Sequence, residues 1–225
     1  MSTTFQDFLA QLPAQFVLPS AMQQGKHLWF DLTADNKALT PELLRSEQAF
    51  CSYISESMAQ VSAVLGLGAY AEDRVIYRKS EVFSGDEARS LHLGIDLWAA
   101  AGTPVYAPLE GSLHSFANNA ASGDYGPTMI LEHRFAGTVF YTLYGHLSLT
   151  SLQNLEVGMS FVAGQPLGTL GAWHENVHWP PHLHFQIIRD LEGRKGDFPG
   201  VCAPSEAAKW LALCPNPNLL LRLAV

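Results

Sequence analysis

Two histidines, His182 and His184, alternate along the run Pro180-Pro181-His182-Leu183-His184-Phe185-Gln186-Ile187-Ile188. The run reads as a β-strand. Leu183, Phe185 and Ile187 fall on one face by the period-2 rule, and His182, His184 and Gln186 on the other. Two imidazoles on one face of a strand this apolar are costly unless something uses them. Histidine is the commonest metal ligand and the commonest general base. Alternate residues sit about 6.6 Å apart along a strand, too far for both to attend equally to one proton. The spacing suits one imidazole on a metal and the other beside the metal's open position; taken alone, the pair reads equally as two half-exposed histidines satisfied by water.

A second run, Leu91-His92-Leu93-Gly94-Ile95-Asp96-Leu97-Trp98, is also a strand pattern, with His92 and Asp96 on the face opposite its aliphatic residues. In a flat strand those two would stand about 13 Å apart. Both can reach one ion only if the chain bends, and Gly94 is the residue that permits a bend. An imidazole and a carboxylate from one segment, with a third ligand from elsewhere, suit the three-ligand, one-open-position centre of a zinc hydrolase; the alternative is a surface histidine beside an ordinary polar aspartate. A third run, Phe140-Tyr141-Thr142-Leu143-Tyr144-Gly145-His146-Leu147, ends a strand pattern on a histidine.

The elements that must position these groups can be read from punctuation and periodicity. Residues 1–12 read as a short helix stopped by Pro13, and Lys26 to Thr33 as a strand. Thr40-Pro41-Glu42 is a helix start, with apolar residues at helical spacing from Leu43 to Leu65 and Gly66 and Gly68 as its end. From about Val75 to Ile188 the strands are short and separated by turn residues, the pattern of a sandwich or barrel of hairpins. A last helix is expected after Ser205, with the tail Leu219-Leu220-Leu221 packing back on the core. The expectation is therefore an α+β, mainly β protein: a compact antiparallel sandwich or barrel-like hydrolase domain over 76–190, a mostly helical segment over 1–75 and a C-terminal helix and tail over 191–225.

In order, the segments His92-Leu93-Gly94-Ile95-Asp96, Gly102-Thr103-Pro104-Val105 with Ala107 and Gly111, Tyr144-Gly145-His146-Leu147, Gly158, Gly164-Gln165 and His182-Leu183-His184-Phe185 resemble the lysostaphin/LytM-type zinc metallopeptidases. The resemblance implies that His92, Asp96 and His184 bind Zn²⁺, and that His146 and His182 stand beside the metal's water as catalytic groups. It implies a peptide or peptidoglycan-fragment substrate, since family members cut short peptide links in bacterial cell wall. This chain departs from the family in a longer approach to the histidine pair, Gly171 to Pro181, and in Gln186, where the family commonly has an acidic residue. His174 and His178 in that approach are expected at the cleft rim, and His133 is read as structural. A segment before the domain can donate a fourth ligand in relatives, which makes His27, Asp31 and Asn36 candidates. A second resemblance, in Phe198-Pro199-Gly200-Val201 and Cys214-Pro215-Asn216-Pro217, is to peptidase-like domains set between a kinase-like domain and a class III aminotransferase.

Composition bounds the alternatives. The chain has 225 residues, 48% of them hydrophobic, and a formal charge of -8, which argues against nucleic acid as a main partner. No apolar run approaches the roughly 18–20 residues of a membrane span. Met1 to Phe30 shows no recognisable export signal, and Cys51, Cys202 and Cys214 have no metal-type spacing, so a cytoplasmic location is expected, or a periplasmic or extracellular one if export uses an unrecognised route. The rival readings are a cytosolic zinc hydrolase of a small amide or peptide, a non-catalytic binding module, and a phosphocarrier on a related fold.

Overall fold

The structure is a computed structural model that describes residues 4–79, 88–121 and 123–224. Helix α1 (Phe5–Gln11) starts at Thr4, whose hydroxyl accepts Asp7 N–H while the Asp7 carboxylate accepts Thr4 N–H. Helix α2 (Ser20–Gln24) and strand β1 (His27–Phe30) follow. The long helix expected from residue 40 is two helices, α3 (Pro41–Arg45) and α4 (Glu47–Gln60). Ser46 between them is extended, and its hydroxyl accepts Ala49 N–H at 3.1 Å to cap α4. Gly66 and Gly68 do not end that helix. They lie in a strand, β2 (Leu65–Gly68), that pairs in parallel with β1.

The remaining strands are β3 (Leu91–His92), β4 (Ile95–Trp98), β5 (Pro104–Tyr106), β6 (Gly111–Asn119), β7 (Gly126–Phe135), β8 (Thr138–Gly145), β9 (Ser160–Phe161), β10 (Pro166–Thr169), β11 (His182–Ile188) and β12 (Val201–Cys202). Two helices close the chain, α5 (Ala207–Leu213) and α6 (Asn218–Leu221). Eight strands form one open sheet in the order β1-β2-β4-β11-β8-β7-β6-β9; β5 pairs with β10, and β3 with β12. Within the large sheet every pairing except β1–β2 is antiparallel. The residues before Val75 thus contribute two strands to the main sheet as well as helices.

The alternation read from β11 sets the two faces. Leu183, Phe185 and Ile187 join one core cluster with Leu67 of β2, Leu97 of β4 and Tyr144 of β8, covered by β5 and β10, by Leu9 of α1 and by Leu220 and Leu221 of the tail. Burying such side chains is worth about 1.5–3 kcal/mol each. His182, His184 and Gln186 face the other way, yet every residue of β11 is buried. On that side one cluster, with Leu93, Phe198, Trp210 and Cys214, packs beside the histidines. Another joins Phe50 and Ile54 of α4 to Trp98. Among the described residues no helix is long and apolar enough to cross a membrane.

Candidate metal centre

His92 ends β3, Asp96 lies in β4, and the two strands are interrupted at Leu93-Gly94. The interruption supplies the bend. A Cβ on Gly94 would stand 2.6 Å from the His184 ring, so only glycine lets the two segments approach. His184 pairs directly with Asp96 across β4 and β11. The result is a buried triplet: His92 Nε2 lies 3.1 Å from His184 Nδ1 and 3.3 Å from Asp96 Oδ1, and His184 Nδ1 lies 3.1 Å from Asp96 Oδ1.

The outer partners fix which atoms carry protons. His92 Nδ1 lies 2.9 Å from the Ala69 carbonyl, which can only accept, so His92 Nδ1 holds the hydrogen and Nε2 a lone pair. Gln186 Nε2 donates to the Pro199 carbonyl, so its Oε1 is the atom facing His184 Nε2 at 2.9 Å. His184 therefore donates from Nε2 and turns a lone pair out at Nδ1. Asp96 Oδ2 accepts from Arg74 Nη1, leaving Oδ1 toward the histidines. Three lone pairs converge on one space. Only a proton or a metal cation among them removes the repulsion. Burial and the Arg74 charge push His92 down to about 4, which disfavours a proton on the His92 ring. Burial alone would raise Asp96, but the neighbouring His92 and Arg74 outweigh it and hold the carboxyl well below its ordinary value. Donors about 2.0–2.1 Å from one tetrahedral ion stand about 3.3–3.4 Å apart, close to the spacings here. The three residues fit a divalent cation.

His182 and His146 flank this triplet. His182 Nδ1 donates to the Pro180 carbonyl at 2.6 Å, so Nε2 carries a lone pair, 3.9 Å from Asp96 Oδ1. His146 follows the last residue of β8 in a left-handed conformation, φ 62°, and its N–H donates to Tyr125 O at 2.8 Å. That turn brings its ring to 4.0 Å from the His182 ring, centroid to centroid. Burial lowers the basicity of both, strongly for His146. All five residues singled out from the sequence, His92, Asp96, His146, His182 and His184, therefore meet in one place.

Other expectations part from the structure. None of the three candidate fourth ligands is in the site: His27 Nε2 is bonded to Met22 O, the Asp31 carboxylate accepts from Thr33, and Asn36 donates to Asp31 O and Tyr53. In the approach loop, Trp179 lines the cleft with Phe50, Ile76 and Tyr77, while Trp173 turns outward and packs against His178 with the rings tilted, centroids 4.2 Å apart. His174 is exposed.

The largest omission of sequence reasoning is Arg74. Its side chain is fully buried and meets four partners: Nε donates to Glu72 at 2.9 Å, Nη1 to Tyr77 Oη at 3.0 Å and to Asp96 Oδ2 at 2.5 Å, and Nη2 to Ala69 O at 3.2 Å. A Cβ on Gly68 would sit 2.5 Å from Arg74 Nη2, so β2 needs glycine where the guanidinium crosses it. No local signal marks Arg74, because its partner Asp96 is 22 residues away.

Residues 90–197 match the family model described as "Peptidase family M23". Those residues are a peptidase family M23 domain. The chain is 30% identical over 96 residues, 43% of its length, to an "uncharacterized metalloprotease" of Haemophilus influenzae, of which the match spans 18%. It is 29% identical over 111 residues, 48% of its length, to the peptidoglycan DD-endopeptidase ShyA of Vibrio cholerae, of which the match spans 23%. The chain thus spans about a fifth of the length of these curated relatives. Among solved structures, the catalytic domain of lysostaphin from Staphylococcus simulans is 26% identical with a TM-score of 0.39, covering 56% of this chain and 86% of that one. The M23 domain includes the whole histidine cluster. Ala69, Glu72, Arg74 and Tyr77 lie before it.

Proposed function

We propose that this protein is a zinc-dependent endopeptidase whose metal is held by His92 Nε2, Asp96 Oδ1 and His184 Nδ1, with His182 and His146 as the proton-handling groups. The observation that carries the reading is the convergence of three lone pairs whose protonation is fixed from outside by Ala69, Gln186 and Arg74. A bound zinc ion supplies Lewis acidity, polarising the scissile carbonyl and making a water acidic enough to attack near neutral pH.

The chain's own residues do the rest. His182 is neutral and offers Nε2 to the proton of the attacking water, while its Nδ1–H stays on the Pro180 carbonyl and keeps the ring in that tautomer. Water oxygen bonds to the carbonyl carbon, the C–N bond breaks, and the proton passes to the leaving nitrogen. His146, ring to ring with His182, stands where it can orient that water or hand on the proton. Phe50, Tyr77 and Trp179 give the cleft an aromatic wall, which supports short peptides or wall fragments with an apolar portion as substrates.

The test is digestion by the purified full chain of peptidoglycan and of a panel of Gly- and D-Ala-containing peptides, scored by new amino termini. Cleavage should stop with chelator and return with zinc. Cleavage indifferent to chelator, or none on any substrate by the zinc-loaded protein, would overturn the proposal.

A further inference from the structure

The M23 match begins at residue 90, yet the metal triplet is held from outside by residues before it. Ala69 O accepts from both His92 Nδ1 and Arg74 Nη2, so one carbonyl ties a metal-facing imidazole to the guanidinium. Both hydrogens of Arg74 Nη1 are used, one on Tyr77 Oη and one on Asp96 Oδ2, and Nε is fixed on Glu72. A guanidinium is a rigid planar fork, so anchoring it at Glu72, Tyr77 and Ala69 fixes the direction of its remaining hydrogen bond. That bond occupies one oxygen of Asp96 and turns the other to the histidines.

We infer that Arg74 is a positioning residue for the metal centre: it restricts Asp96 to a one-oxygen ligand and, through the shared Ala69 carbonyl, steadies His92. The inference rests on the metal-site reading above. On this view residues 69–77 are part of the site's working structure, and the M23 domain of this chain is incomplete without them. Lysine at position 74 would keep the positive charge but could not satisfy Glu72, Tyr77, Ala69 and Asp96 together. Asp96 Oδ2 would then be free to swing onto the metal as a second donor.

The test is metal binding by the full chain, read with zinc in competition against a chelator of known affinity and with cobalt(II) by visible absorption. Four-coordinate cobalt absorbs far more strongly than five- or six-coordinate cobalt, so the band reports whether Asp96 binds through one oxygen or two. Arg74→Lys should bind zinc about 10–100-fold more weakly, the usual range for loss of an outer-shell partner, and its cobalt band should weaken. Unchanged affinity would overturn the inference. So would weaker binding with an unaltered band, because a general loosening of the fold lowers affinity without changing how Asp96 binds. Should Arg74→Lys fail to fold, Tyr77→Phe decides: it removes one anchor of Nη1 and leaves the charge and all three ligands. It should weaken zinc binding a few-fold with a weaker band, and wild-type behaviour would overturn the inference. If the wild-type chain binds neither zinc nor cobalt, the metal-site reading itself falls.

Discussion

Buried histidines on the two sides of the large sheet differ in what their nitrogens meet: His133 of β7 on one side, His184 of β11 with His92 of the separate β3–β12 pair on the other. His133 of β7 stacks on Phe140, on the face that carries Phe185. Its Nδ1 is bonded to Glu110 O at 2.8 Å and its Nε2 to Thr142 Oγ1 at 2.7 Å, and Thr142 bonds on to Tyr144 Oη. Both ring nitrogens are satisfied by protein. On the other side His184 and the neighbouring His92 each have one satisfied nitrogen and one aimed at a shared space. Burial lowers His133 and His92 alike, to about 4. Neither burial nor basicity therefore separates a structural histidine from a metal ligand. The proton count does: a network closed by protein needs nothing more, and one that ends in converging lone pairs calls for a cation.

The largest effects are expected at the three ligands. His184→Ala and Asp96→Ala should each take bound zinc from one per chain to none and abolish peptide hydrolysis, as read by elemental analysis and by digestion. His133→Gln should keep both, since it touches neither the triplet nor the cleft. A His184→Ala protein with full metal content would erase the difference between His184 and His133. The next effect in size falls within the site. His182→Ala should retain most of the zinc but lose about 10²–10⁴-fold in kcat, the usual worth of a general base. If His182→Ala empties the site and His184→Ala does not, the roles of the pair are reversed.

Much of this site can be read from the chain. The alternation in β11 and the need for a bend at Gly94 follow from local residue types, and the structural character of His133 from the family resemblance. What cannot be read is the outer layer. Arg74 meets Asp96 across 22 residues, and Ala69 acts through its main-chain carbonyl, which no side chain advertises. Gln186 stands out as a departure in the sequence, but its role as acceptor for His184 depends on Pro199 holding its amide group. Gly66 and Gly68 mislead for a related reason. Glycine after a helical pattern is an ordinary stop signal, whereas here the same residues clear space on a strand for Trp98 and Arg74. Local propensity is outweighed wherever a large side chain from distant sequence must cross the backbone.

The smallest effect tests the closed network alone, as stability rather than activity. His133 has an ordinary value of 6.5, and burial lowers it to about 4 in the fold. Above about pH 6.5 the ring is neutral in folded and unfolded chains alike, so its contribution is fully present. Between pH 6.5 and 4 the unfolded chain takes up a proton that the folded chain refuses, and stability falls as pH falls. Below about pH 4 the loss is complete. At 1.36 kcal/mol per pKa unit the total is about 3 kcal/mol. Urea unfolding of chelator-treated protein across this window should show wild type losing about that much more stability than His133→Gln, which keeps hydrogen-bonding groups near Glu110 and Thr142 but does not titrate. His92 and the other buried histidines are common to both proteins and cancel in the difference. Equal pH slopes would mean that His133 accepts a proton in place, and that the two faces of the sheet do not share the same cost of burying an imidazole.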